Sequence, residues 1–94
     1  MAEEQKKILW VDDEIDLLRP HVLFLEKKGY NVDTVTNAED AIEMIKGDAY
    51  DLVILDEMLN GMDGLTALGE IKETNPGLPA IMVTKSEEET LMII

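Results

Sequence analysis

The sequence predicts an α/β fold in which a parallel sheet carries helices on both faces. Short apolar runs alternate with amphipathic segments along the chain, and turn residues separate them. The run DLVILD at 51–56 is apolar without alternation, which is typical of a central parallel strand. The chain has 94 residues, 46% of them apolar, so we expect one domain over residues 1–94.

The first predicted strand, KILWVD at 7–12, is followed by an amphipathic helix. Pro20 lies inside this helix and removes a backbone donor, so we expect a kink or a loose first turn. Gly29 closes the helix. Its apolar residues recur at spacings of three and four: Ile15, Leu18, Val22 and Leu25.

A second strand and helix follow. YNVDTVT at 30–36 predicts a strand, and Asn37 is a plausible N-cap for the next helix, which Gly47 ends. The apolar residues expected to face inward on this helix are Ala38, Ala41, Ile42 and Ile45.

The second half of the chain continues the alternation. A glycine-rich loop, NGMDG, follows the strand at 51–56, and a helix is predicted from about Leu65 to Thr74. The turn NPGLP leads into a strand at 80–84. Ser86 and Glu89 form a capping box that opens a further helix, in which the chain ends at LMII.

The formal net charge of −13 makes nucleic acid and membrane surfaces poor partners for this chain alone. Cations and basic protein surfaces are better ones. The polar start MAEEQKK precedes no signal-peptide apolar region, and no apolar run approaches membrane-spanning length. We therefore expect a cytoplasmic protein, and the absence of cysteine is consistent with that expectation.

Acidic residues follow two of the predicted strands. Asp12 and Asp13 end the first strand and Asp56 ends the third, while Thr84 ends the fourth. The carboxyl ends of parallel strands lie at one edge of a sheet, so these side chains should converge there. Carboxylate oxygens suit Mg²⁺, and Asp56 could then act as a nucleophile in phosphoryl transfer, with Thr84 donating to the phosphoryl oxygens.

Each acidic residue also has a simpler interpretation, because acids at strand ends often solvate a turn or cap the next helix. We assign that role to Asp63, in a solvated loop, and to the acids at 87–89, at a helix start. His21 has no second histidine or carboxylate at ligand spacing, so we interpret it as a surface or core residue.

Three segments resemble, in order, the motif blocks of response-regulator receiver domains: ILWVDDE, LVILDEMLNGMDG and PAIMVTK. The combination of an acid pair, an aspartate before a glycine-rich loop and a strand-ending threonine is specific to that family. The resemblance covers essentially the whole chain. It implies a flavodoxin-like (CheY-like) fold, incomplete at its C-terminal end.

The resemblance implies that Asp56 accepts a phosphoryl group from a sensor histidine kinase or a phosphotransfer protein, with Mg²⁺ as cofactor. Asp13 and Asp56 would ligate the ion directly, Asp12 would hold it through water, and Met58 would offer its backbone carbonyl. Thr84 matches the hydroxyl residue that turns toward the phosphoryl group. The chain would then be a regulatory phosphoacceptor domain of a two-component system and not an enzyme.

The sequence departs from the family pattern at three places. Asn60 replaces a usual proline in the loop after the acceptor, and Lys85 replaces a usual small residue, where it could screen the acceptor or add a positive charge. The chain also ends before the family's fifth strand and final helix, which carry a phosphate-pairing lysine and an aromatic switch residue. We therefore expect an open edge at the fourth strand, self-association through it and an unstable monomer.

Within the family, the segments DDEIDLLRPHVLFLEKKGY and VTKSEEE resemble PorX-like regulators associated with type IX secretion. In those proteins the receiver precedes an alkaline-phosphatase-like domain.

Three other functions remain as alternatives. A magnesium-dependent phosphatase similar to the haloacid dehalogenases would need a second acid where this chain has Met58. A flavodoxin-like nucleotide or flavin module would need glycine amides where VDDEID offers carboxylates. A pseudo-receiver that serves only as an interaction surface agrees with the missing lysine but not with the intact acid triad.

Overall fold

The computed structural model describes residues 5–57, 59, 63–83 and the backbone of 91–93. Four parallel strands form the sheet, in the order β2-β1-β3-β4, and a fifth, antiparallel strand lies beside β4. The strands are β1 (Lys7–Val11), β2 (Asn31–Val35), β3 (Leu52–Asp56), β4 (Ala80–Val83) and β5 (Leu91–Ile93). The predicted parallel sheet is confirmed.

The helices cover both faces of this sheet, as predicted. They are α1 (Arg19–Lys27), which a short 3-10 helix (Ile15–Leu18) precedes, α2 (Ala38–Gly47) and α3 (Gly64–Thr74). No helix in the described part of the chain has the length and apolar character needed to cross a membrane.

Two apolar cores lie on opposite faces of the sheet, because successive side chains of a strand point to opposite sides. Leu9 and Leu55 belong to the larger core, which α2 and α3 cover with Ile42, Ile45 and Ile71. The smaller core lies under α1 and contains Ile8, Ile15, Val22 and Val32. The first four residues of the central strand β3 are all apolar, because both faces of the strand are packed.

The loose first turn that Pro20 predicts is present. The segment begins as the 3-10 helix and becomes α-helical only at Arg19, so Pro20 falls in the first turn of α1. A proline costs little there, because the first backbone N–H groups of a helix have no partner within it. The helix ends before Gly29, whose φ of 99° lies in the left-handed region that glycine adopts without strain.

Asn37 caps α2, as predicted. Its side-chain oxygen accepts a hydrogen bond from the backbone N–H of Asp40 at 2.8 Å. Replacing Asn37 with alanine should lower the free energy of unfolding by about 1 kcal/mol, because that N–H loses its partner. Urea denaturation followed by circular dichroism would measure the change. Asn37→Ser retains a capping oxygen, so a loss as large in the serine variant would contradict the assigned role.

The prediction of a final helix through LMII is wrong for residues 91–93, which form the antiparallel strand β5. Its residues pair with β4, where Val83 lies opposite Leu91 and Ile81 opposite Ile93. A short apolar run fits a strand as well as a helix, and here pairing satisfies backbone groups along one side of β4. The sheet edge expected at β4 therefore lies at β5, whereas the predicted capping box at Ser86 and Glu89 lies outside the described residues.

Candidate functional site

The candidate site lies at the carboxyl ends of β1 and β3, the two adjacent central strands. Asp56 is the last residue of β3, and Asp12 directly follows β1. Sheet pairing continues into both positions: the N–H of Asp12 donates to the carbonyl of Val35 at 3.1 Å, and the N–H of Glu57 donates to that of Val83 at 3.0 Å. The backbone that carries the acidic residues is thus held on both sides.

Three carboxylates meet at this edge. One oxygen from each of Asp12, Asp13 and Asp56 can be chosen so that all three lie within 4.8 Å of one another. Asp12 and Asp56 are only 3% and 1% exposed, and Asp13 is partly buried. The structure therefore brings these three residues together, as their positions at the strand ends predict.

The turn after β1 orients the first of these carboxylates. Oδ1 of Asp12 accepts a hydrogen bond from the backbone N–H of Glu14 at 2.8 Å. This contact closes the turn and fixes the side chain at the start of the 3-10 helix. This local hydrogen bond therefore constrains the direction of the Asp12 carboxylate.

The donor set suits a hard divalent cation. Carboxylate oxygens are preferred by Mg²⁺, which binds them at about 2.1 Å and often retains several waters. Three carboxylates from two strand ends leave room for such waters and for one oxygen of a second ligand. Their mutual repulsion in a largely buried site would also be offset by a bound cation. The residues present thus fit a magnesium ion.

Two contacts fix the position of the segment that follows Asp56. The side chain of Leu59 is buried in the larger core, and the N–H of Gly64 donates to the carbonyl of Glu57 at 2.8 Å. These contacts bring the start of α3 against the end of β3. Neither residue is among the predicted site residues, although both belong to the loop that the sequence marks as glycine-rich or adjoin it.

Asp63 has a definite role that differs from the predicted solvated loop. It is exposed, but its Oδ1 accepts a hydrogen bond from the N–H of Thr66 at 2.8 Å and so caps α3. This backbone hydrogen bond holds the pKa of Asp63 below its usual value. An aspartate three residues before a free N–H of the first helical turn is a recognisable N-cap signal in the sequence.

The remaining residues singled out by the sequence either lie outside the described residues or belong to α1. Met58 and Thr84 lie outside the described residues, as do Asn60 and Lys85. His21 is exposed on α1, in agreement with the prediction of a surface or core position.

The sequence model described as "Response regulator receiver domain" matches residues 8–94, and the chain belongs to that family. Its class is thus the receiver domain of two-component response regulators, with the predicted CheY-like fold. It is 34% identical over 84 residues to the alkaline phosphatase synthesis transcriptional regulatory protein PhoP of Bacillus subtilis. That match covers 89% of this chain but 35% of PhoP, so the chain spans about a third of this relative's length.

Solved structures agree with the family assignment. A CheY-like receiver domain protein from Methanospirillum hungatei superposes with a TM-score of 0.82 at 32% identity, covering 92% of this chain and 70% of that one. The response regulator TrrA of Thermotoga maritima, determined in complex with Mg(2+)-BeF, gives 0.81 at 36% identity, covering 89% and 73%. The similarity to both proteins therefore extends over most of this chain.

Proposed function

We propose that Asp56 of this receiver domain accepts a phosphoryl group in a magnesium-dependent reaction. The convergence of Asp12, Asp13 and Asp56 within 4.8 Å, with Asp56 at the end of the central strand, is the observation that carries the proposal. A nucleophile on a paired strand is held rigidly, which favours a productive approach to phosphorus.

The donor is proposed to be a phosphohistidine of a sensor histidine kinase or a phosphotransfer protein. An oxygen of the Asp56 carboxylate forms the new P–O bond while the P–N bond of the donor breaks, and the ring nitrogen that keeps the bonding electrons takes one proton from solvent. The product is an aspartyl phosphate on Asp56 and a neutral histidine on the donor. No oxidant or reductant is needed.

We assign the metal ligands as the family resemblance implies. Asp13 and Asp56 would bind Mg²⁺ directly, Asp12 would hold it through water, and Met58 would supply its backbone carbonyl. When bound, the ion neutralises the charge that develops on the phosphoryl oxygens. Thr84 would donate its hydroxyl to one of those oxygens and move with it, which is how the phosphorylated state would be passed to nearby loops.

The wider biological setting is also proposed. The domain works in the cytoplasm as a regulatory element. With a net charge of −13, this chain alone binds cations and basic protein surfaces in preference to nucleic acid or membrane. Self-association through the sheet edge remains a prediction, and the edge strand that would pair with a second copy is β5.

Phosphorylation by acetyl phosphate tests the assignment of Asp56. The wild-type chain should gain one phosphate, seen by intact-mass spectrometry, only when Mg²⁺ is present. The Asp56→Asn variant should gain none, because an amide is a far weaker nucleophile than a carboxylate. Circular dichroism of both proteins establishes that they are equally folded.

The outcomes separate the alternatives. Equal labelling of the Asn variant would show that Asp56 is not the acceptor. A folded wild-type chain that binds Mg²⁺ but takes no phosphate would favour the interaction-only pseudo-receiver. Steady release of phosphate from small phosphate esters would instead favour the phosphatase.

A further inference from the structure

The start of α3 lies unusually close to the backbone of the proposed acceptor. A Cβ atom placed on Gly64 would lie 2.7 Å from the carbonyl oxygen of Asp56 and 2.7 Å from Cα of Glu57. It would also lie 3.0 Å from the carbonyl oxygen of Glu57. All three atoms belong to the backbone, so no side-chain rotation can relieve the contact.

Neither side of this contact can yield easily. On one side, Asp56 is paired with Val83, and the N–H of Glu57 donates to the carbonyl of the same residue at 3.0 Å. On the other side, α3 is fixed by the burial of Ala67 and Ile71 in the larger core. A side chain at position 64 would therefore displace either the backbone of Asp56 and Glu57 or the first turn of α3.

We propose that Gly64 is a positioning residue: by letting α3 touch the end of β3, it sets the position of the Asp56 carboxylate relative to Asp12 and Asp13. The cap that Asp63 provides holds the first turn of α3 in this contact. This inference rests on the proposed magnesium site and adds the part of the fold that aligns it. Ligand distances in metal sites lie within about 0.2 Å of their preferred values, so a shift of Asp56 beyond that range should weaken binding.

The first test compares alanine at two glycines of the same helix. Gly64→Ala should bind Mg²⁺ roughly tenfold more weakly than the wild type, by isothermal titration calorimetry, because its ligands no longer converge. Gly69→Ala is the matched control, since no described atom beyond its chain neighbours and the adjacent backbone of α3 lies within 4 Å of the position of its Cβ. It should bind Mg²⁺ as the wild type does. The titrations are made at a temperature where circular dichroism shows all three proteins folded, so that a loss of stability alone does not change the affinity.

The second test needs no added bulk. Asp63→Ala removes the cap of α3, whereas Asp63→Asn retains a capping oxygen and removes the same charge. The alanine variant should bind Mg²⁺ more weakly than the asparagine variant, by about threefold, because only it frees the first turn of α3. This pair decides the question if Gly64→Ala does not fold.

Each result has one interpretation. A folded Gly64→Ala variant with wild-type affinity would overturn the inference and leave the proposed function intact, as would equal affinities of the two Asp63 variants. A folded wild-type chain that does not bind Mg²⁺ would overturn the metal site itself, and the inference with it.

Discussion

Replacing Leu9 with alanine should lower the free energy of unfolding by about 3 kcal/mol. Leu9 lies in β1, between β2 and β3, and is 0% exposed within the larger core. Alanine would lose the buried methyl groups and leave a cavity that neighbouring strands, held by their hydrogen bonds, cannot close. In a domain of this size the midpoint of thermal unfolding should fall by more than about 10 °C.

Leu17→Ala is the matched control, because the same atoms are removed from a side chain that is 72% exposed. Its effect should stay within about 0.5 kcal/mol. Urea denaturation of the three proteins, followed by circular dichroism at two protein concentrations, measures the difference and reveals any linked self-association. Equal losses at Leu9 and Leu17 would contradict the assignment of the core.

Replacing Asp13 with asparagine should change stability in opposite directions with and without Mg²⁺. Without metal, the variant should be more stable by on the order of 1 kcal/mol, since one of three neighbouring negative charges is removed. With Mg²⁺ at a hundred times its dissociation constant, the wild type should gain about 2.7 kcal/mol, while the variant, which lacks a ligand, gains much less. The order of stability therefore reverses.

Thermal unfolding in EDTA and in magnesium chloride tests this reversal. Asp16→Asn is the control, because Asp16 is almost fully exposed and its ion pair with Arg19 spans 4.0 Å. This variant removes the same charge from the chain without altering the cluster, so it should gain as much from Mg²⁺ as the wild type. An Asp13 variant that Mg²⁺ stabilises as strongly as the wild type would contradict the metal site.

The order of the elements and the acidic cluster follow from patterns that act over a few residues. The alternation of apolar runs with amphipathic segments predicts β1 to β4 and the three helices, and Asn37 and Gly29 mark helix ends. The carboxyl ends of parallel strands share one edge, so the positions of Asp12 and Asp56 in sequence are enough to bring them together.

Contacts between distant segments decided the rest. The four apolar residues LMII are compatible with either a strand or a helix. Residues 91–93 form a strand because they pair with β4. In the sequence, nothing distinguishes Gly64 from other loop glycines. Only the packing of α3 against the end of β3 shows that a Cβ atom at this position would clash with the backbone of Asp56 and Glu57. Local periodicity and capping chemistry therefore determine which elements form and which acidic residues meet. The tertiary structure alone determines how closely the elements approach one another, because that distance depends on packing between residues far apart in the chain.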